Sequence, residues 1–412
     1  MQKTQDMTKG SISKQILTFA LPLMLGNVFQ MLYNTVDSIV VGNFVGTEAL
    51  AAIGSTTLIV NIAVFFFNGF SVGAGVVISN AFGAGDKKRL HTAVETTITA
   101  TFVMCVIFTV IGIFSVDFML DLMATPDNVF DEAHTYLTIY FEGIAGLLIY
   151  NIGSGILRAV GDAKRPLLFL IFTSILNIFL DLLFVLGFHQ DIAGVACATI
   201  ISQAVSAVMI LYLLIHTDAV YRFTWHDMKI DRAAFRQIMG IGLPNGIQSI
   251  ITAVSNIFVQ AYINFFGSTC MAGWSCYNKI DSFIFLPVQS MAMAATTFVG
   301  QNEGAGRKDR VNRGTVDSVS LSVAITGVTA ALIWITAPGA VRLFSQDPEV
   351  ISYGTLFLRT NSFFLMFNAV NHVLAGALRG RGDSMGPIDG HHADRIRCDP
   401  SVLSLHTHPI HL

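Results

Sequence analysis

Apolar stretches of about 20 residues, each long enough to cross the hydrocarbon core of a bilayer, recur along almost the whole chain and leave few folds open to it. In lipid every backbone N–H and C=O must find a partner inside the segment or in a closed sheet, so such stretches have to be helices. Composition agrees: 12% of the 412 residues are charged and 53% are hydrophobic, about half the charge usual in a soluble chain. The N-terminal stretch MQKTQDMTKGSISKQ is polar, and no small-residue cleavage pattern follows it, so the first apolar run reads as a membrane helix and not as a signal peptide.

Reading from breaker to breaker places spans near residues 16–42, 50–80, 93–116, 134–157, 166–188, 193–215, 238–265, 274–299, 315–337 and 353–377. Lys and Arg collect in the N-terminal tail and in alternate loops: Lys87, Lys88 and Arg89; Arg158, Lys164 and Arg165; Arg222, Lys229, Arg232 and Arg236; Arg307, Lys308, Arg310 and Arg313. The loop after the third span instead carries Asp121, Asp127, Asp131 and Glu132. By the positive-inside rule the N-terminus is expected in the cytoplasm and the chain in the cytoplasmic (inner) membrane, as a multi-pass protein.

The chain also repeats itself. ALPLMLGN around Pro22 recurs as GLPNGIQS around Pro244, FGAGDKKR recurs as NEGAGRKDR, and LRAVGDAKRP recurs as LRGRGDSMGP, at a spacing of about 221 residues. The predicted fold is therefore all-α and polytopic, with two parallel six-helix repeats, an arrangement common in transporters with a site between or within the halves. Residues 1–215 form the expected N-lobe, 216–237 a cytoplasmic linker and 238–387 the C-lobe. The repeat predicts an eleventh helix over 387–409, yet IDGHHADRIRCDPSVLSLHTHPIHL cannot span a bilayer. Residues 388–412 are thus read as an aberrant tail following a frameshift or break that loses the last two of twelve helices. Five of the chain's 11 histidines fall there, and out-of-frame sequence accounts for them without a metal site. The five cysteines include no C-x-x-C pair and are read as free thiols.

An ionisable group inside a membrane helix costs about 2.5–3.5 kcal/mol on insertion scales and so invites a functional reading. Gln30, Asn34 and Asp37 share one helix face, and Asn177 and Asp181 share another. Asn151, Thr199 and Gln203 could complete an oxygen-rich cluster. Two carboxylates with amide and hydroxyl oxygens suit a proton or a hard monovalent cation far better than a transition metal. The alternative is that these groups only hold helices together by hydrogen bonds. Asp281 in the eighth span is a candidate for lining a substrate cavity in the second half. It lies two residues from Lys279 and points elsewhere. Asp37 maps by the repeat onto Phe258, which confines the expected cation site to the first half.

With Pro22 opening the first helix, VDSIVVG around Asp37, FGAGDKKR, LRAVGD before Pro166 and NIFLDLLFVLG around Asp181, residues 10–387 resemble the multidrug and toxic compound extrusion (MATE) family. The resemblance implies two lobes forming a V-shaped cavity, a first helix bent at Pro22, and antiport of organic cations or other amphipathic drugs against Na+ or H+. It also implies an N-lobe cation site at Asp37, Asn151, Asn177, Asp181 and Thr199. Gln30, Asn34, Gln203 and Asp281 are the candidate substrate-cavity residues. Some members carry a glutamate in the seventh helix where this chain has Thr252. No cofactor beyond the coupling ion, no nucleic-acid partner and a monomer are expected. G-x-S-x-G, H-E-x-x-H and nucleotide-loop motifs are lacking, so an enzyme is not expected. The rivals are an exporter of lipid-linked sugars of related architecture, which would need cavity cations, and a transport-inactive remnant.

Overall fold

A computed structural model describes residues 5–123 and 125–383. The expected tail at 388–412, with its histidines and Cys398, lies outside them. The described residues form ten long α-helices: α1 (Ile12–Val40), α2 (Thr47–Gly83), α3 (Lys87–Leu122), α4 (Asp127–Ala159), α5 (Lys164–Leu182), α6 (Ile192–His216), α7 (Arg232–Asn264), α8 (Ser268–Gly304), α9 (Lys308–Arg342) and α10 (Pro348–Gly380). No β-strand occurs among the described residues. Nine of these helices, α1 to α9, are long and apolar enough to cross a membrane. The tenth, α10, is as long as its neighbours, but Arg359, Asn361, Asn368, Asn371 and His372 lower its hydropathy. It runs alongside α8 from the Gly273–Gly354 approach to the approaches of Gly376 to Ala292 and Gly380 to Thr296, so it traverses the same depth.

The internal repeat is visible in the backbone. Gly46 and Gly267, Gly85 and Gly306, and Gly161 and Gly382 are three pairs of positive-φ glycines at the sequence repeat. Gly85 and Gly306 have φ of 68° and 69°, and Gly161 and Gly382 have 87° and 88°. Each turns the chain out of a helix in a conformation that a Cβ would strain.

Two compact units result, and each takes a segment from the opposite end of the other's sequence. The first unit comprises Gln5 and Leu21–Ile250, the second Asp6–Ala20 and the described residues from Ile251 on. Relative to the lobe boundaries expected at 215 and 238, the first half of α7 groups with the first unit and the start of α1 with the second. α1 and α7 each run on through an internal proline, Pro22 and Pro244, near these divisions.

In the first unit α4 is the central post, packed by α2, α3 and α6. A Cβ on Gly143 would sit 2.3 Å from the Ile200 side chain, and one on Gly146 would sit 2.8 Å from the Ala204 backbone nitrogen, so the missing side chains set how closely α6 approaches. Gly73 packs in the same way on the start of α7, where a Cβ would meet the Ile238 carbonyl at 2.2 Å. The expected linker is folded onto this unit: Phe223 is fully buried, the Thr224 N–H donates to Glu95 Oε1 at 3.0 Å, and the Asp231 N–H donates to Thr96 Oγ1 at 3.1 Å.

In the second unit α8, α9 and α10 pack against one another. The N-terminal segment is held on them by the second copy of the GAG loop. Gln301 Oε1 accepts from the Met7 N–H at 3.0 Å, Arg307 donates to the Thr8 carbonyl at 2.9 Å, and Arg310 donates to the carbonyls of Met7 (3.1 Å) and Gly10 (2.9 Å). Met7 is fully buried there.

Candidate functional site

Four helices of the first unit turn their few polar side chains toward one hollow. From α1 come Gln30 and Tyr33, from α4 Tyr150 and Asn151, from α5 Thr173, Ser174 and Asn177, and from α6 Thr199, Ser202, Gln203 and Ser206. On α5 and α6 these residues recur every three or four positions, so each set forms one stripe on an otherwise apolar helix. The hollow has a volume of about 40 Å³, room for a few water-sized occupants and far too small for a drug molecule.

Burial is nearly complete here: Asn177 and Thr199, which line the hollow, are 2% and 6% exposed, and Asp181, one turn beyond Asn177, is 0% exposed. Both side-chain polar atoms of Asn177, Oγ1 of Thr199 and Oγ of Ser174 are buried with no hydrogen-bond partner among the described residues, and the buried oxygens of Asp37 and Asp181 have only each other's carboxyl within hydrogen-bonding reach. Helices ordinarily avoid this, because an unsatisfied buried polar atom costs about 1–3 kcal/mol. The surrounding hydroxyls give their protons away: Ser206 Oγ donates to Thr173 Oγ1 (2.9 Å), Ser202 Oγ to the Ala198 carbonyl (2.8 Å), and Thr173 Oγ1 to the Phe169 carbonyl (2.9 Å). What they still present is acceptor lone pairs.

Beside this hollow, Asp37 and Asp181 face each other within interaction distance, with Tyr33, Tyr136 and Tyr140 around them. Among the described residues no Lys or Arg lines the hollow, so the carboxylates buried beside it need a proton or a bound cation to be neutral. Both carboxylates also lie just before a turn of wider π-helix, Val41–Val45 after α1 and Leu183–Gly187 after α5. Such turns are frequent at functional sites because they re-aim neighbouring side chains.

The structure thus gathers Asn151, Asn177 and Thr199 around the hollow and sets the Asp37–Asp181 pair against it. The four residues expected in a substrate cavity are placed as follows. Gln30 and Gln203 line the ion-sized hollow, Asn34 is exposed, and Asp281 belongs to the second unit. There Asp281 Oδ1 accepts from Asn361 Nδ2 at 2.9 Å, beside Tyr277. Lys279 turns away from Asp281, its Nζ 5.7 Å from the centroid of the Phe344 ring. His372, the repeat partner of Asn151, packs its ring edge-on against Phe285 at 4.8 Å. Sequence reading missed Tyr33, Tyr136, Tyr140, Tyr150, Thr173, Ser174, Ser202 and Ser206. Tyr33 stands one turn before Asp37, Ser174 one turn before Asn177, and Ser202 three residues after Thr199, so continuing each polar stripe by one turn would have found these three.

Long apolar helices in two parallel repeats, burying paired carboxylates against an ion-sized hollow, define a multi-pass membrane transporter. The sequence profile of the MatE family matches residues 22–183 and 241–388. The chain is 32% identical over 380 residues to the "Probable multidrug resistance protein YpnP" of Bacillus subtilis, covering 92% of this chain and 85% of that protein. It is 26% identical to the "Probable multidrug resistance protein NorM" of Thermotoga maritima, with 92% and 82% covered. Among solved structures, the outward-facing conformation of a multidrug resistance MATE family transporter superposes with a TM-score of 0.88 at 24% identity, covering 94% of this chain and 87% of that one. A MOP superfamily transporter from Pyrococcus furiosus gives 0.88 at 23% identity, with 98% and 93% covered. The chain belongs to the MatE family.

Proposed function

We propose that this protein is a secondary active multidrug exporter of the cytoplasmic membrane. In this reading it works as a monomer with its N-terminus inside, and it moves organic cations or other amphipathic drugs outward in exchange for Na+ or H+. The observation that carries this reading is the buried Asp37–Asp181 carboxyl pair together with the partnerless side-chain oxygens of Asn177 and Thr199, beside a hollow of about 40 Å³. Hard oxygen ligands without a nearby cationic side chain suit a proton or Na+, and the volume excludes a drug. Coupling then acts through the first unit's conformation: cation binding satisfies these oxygens and changes how α1 and α5 pack, which alters affinity for a substrate held elsewhere. The multidrug resistance names of the Bacillus and Thermotoga relatives support the substrate class, and the Lys/Arg asymmetry of the loops supports the topology.

The test is efflux of a fluorescent organic cation from proteoliposomes under imposed Na+ or H+ gradients, for the full chain and its Asp37→Asn variant. Gradient-driven efflux that the variant loses is the expected result. Efflux of equal rate in the two would reduce Asp37 to a helix contact, and no efflux from the intact chain under either gradient would defeat the exporter reading.

A further inference from the structure

The second unit carries a feature that ion coupling does not use. Between α9 and α10 runs a groove of about 770 Å³ whose lining includes Trp334, Thr355, Arg359, Thr360, Phe363 and Phe364. Arg359 lies in the interior of α10 and has no carboxylate within ion-pair distance among the described residues. Its Nε donates to the Trp334 carbonyl at 3.2 Å, and its guanidinium lies 5.4 Å from the centroid of the Trp334 ring. Both Nη groups are left without a protein partner among the described residues. One turn away, Oγ1 of Thr355 is buried and also has no partner among the described residues.

Depth gives the arrangement its meaning. At 1.5 Å per residue α10 is roughly 50 Å long, so a hydrocarbon core of about 30 Å leaves about 10 Å of helix beyond it at each end. Arg359 lies 11 residues past Pro348, about 17 Å along and so about 7 Å inside the core edge. Trp334 lies eight residues before Arg342, about 12 Å from the end of α9 and close to that edge. The bond from Nε to the Trp334 carbonyl therefore draws the guanidinium toward the level of the lipid phosphates. Below it, Phe363 and Phe364 are 62% and 61% exposed, an apolar bed at acyl-chain depth. The first unit lacks this arrangement. Thr138 stands where the repeat places Arg359, while the partners of Thr355 and Pro338, His134 and Asp117, bridge each other at 3.2 Å.

We propose that the α9–α10 groove seats an anionic glycerophospholipid. Its phosphodiester is held by the Arg359 guanidinium and the Thr360 hydroxyl, and an acyl chain lies over Phe363 and Phe364. The free Nη groups match two phosphate oxygens, the geometry in which arginine binds phosphate best. Only the leaflet, outer by the topology proposed above, rests on that reading, and lipid retention in micelles is independent of it.

The test is native mass spectrometry of the full chain released from detergent micelles and titrated with phosphatidylglycerol, with a diacylglycerol of the same acyl chains, or with inorganic phosphate. Phosphatidylglycerol is expected to bind about tenfold more weakly to Arg359→Gln, the loss of one charge-assisted pair, and unchanged to Arg342→Gln, which removes an exposed charge outside the groove. Diacylglycerol binding as well as phosphatidylglycerol, phosphate displacing the lipid at equal concentration, or no difference between Arg359→Gln and the parent would each overturn the proposal. If Arg359→Gln fails to fold, a photoactivatable phosphatidylglycerol on the unmodified chain decides. Adducts on peptides containing residues 334–338 and 352–364 support the site, and adducts confined to other peptides sink it.

Discussion

Replacing Asn177 by leucine should make this protein more stable and inactive at once. Asn177 is 2% exposed, and neither its Nδ2 nor its Oδ1 has a hydrogen-bond partner among the described residues. Each such atom costs about 1–3 kcal/mol when nothing satisfies it, and a water in the adjoining hollow of about 40 Å³ would recover part of that. Leucine has the same branched skeleton and no polar atom, and its bulkier methyl groups have the adjoining hollow to extend into. In a buffer whose only cation is bulky, Asn177→Leu should therefore gain about 1–2 kcal/mol, after allowance for such a water. For a unit the size of Leu21–Ile250 this is a rise in Tm of roughly 2–8 °C. Adding Na+, or protons by lowering the pH, should raise the Tm of the parent by mass action and leave the variant unmoved, and drug efflux should be lost. The assay is intrinsic-fluorescence melting in detergent beside efflux from liposomes. A variant that melts lower than the parent in the cation-free buffer would show that Asn177 is structural, and the coupling reading of the hollow would fall with it.

Helix approach in the second unit gives another test. A Cβ at Gly376 would sit 2.4 Å from the Ala292 carbonyl oxygen, whereas one at Gly339 meets nothing within 4 Å. Gly376→Ala should cost about 1–3 kcal/mol through overpacking, and Gly339→Ala should be neutral or gain up to about 1 kcal/mol from helix propensity; equal melting temperatures would refute the packing. At the start of the chain, Arg310→Ala removes the bonds to the Met7 and Gly10 carbonyls and to Gln15 Oε1. Trypsin should then cut after Lys9 or Lys14 about tenfold faster than in the parent, since local opening costs about 1.4 kcal/mol less, and an unchanged rate would mean that the segment is held by Met7 burial and the Gln301 and Arg307 bonds without help from Arg310.

Most of the helix inventory was readable from the residues, because a membrane permits so few answers. Ten apolar segments become ten helices, and the 221-residue repeat reappears as matched turns at Gly85 and Gly306 and at Gly161 and Gly382. The coupling candidates were also readable in part, since Asp37, Asn177 and Asp181 are conspicuous against apolar neighbours. Their companions were not. Ser202 and Ser206 on α6, or Thr173 on α5, are ordinary small residues that in many membrane helices bond only to their own backbone. What selects them is that Ser206 Oγ reaches Thr173 Oγ1 across two helices, a relation no single-helix periodicity contains.

The same division explains the rest. Sequence alone determined that the chain crosses the membrane as helices, where the ten long helices of the described residues lie, which of their ends are basic, and that the pattern comes in two copies, because backbone desolvation and loop charge act on each segment separately. Only the tertiary structure decided that the start of α1 joins the second unit and the first half of α7 the first, that the expected linker is buried at Phe223, and that Gln30 faces the ion-sized hollow while Asn34 does not. Each depends on how a helix is rotated and how closely glycines let it approach a neighbour. In a chain whose helices are apolar on nearly every side, that rotation is set by contact between segments and is left almost unmarked within any one of them.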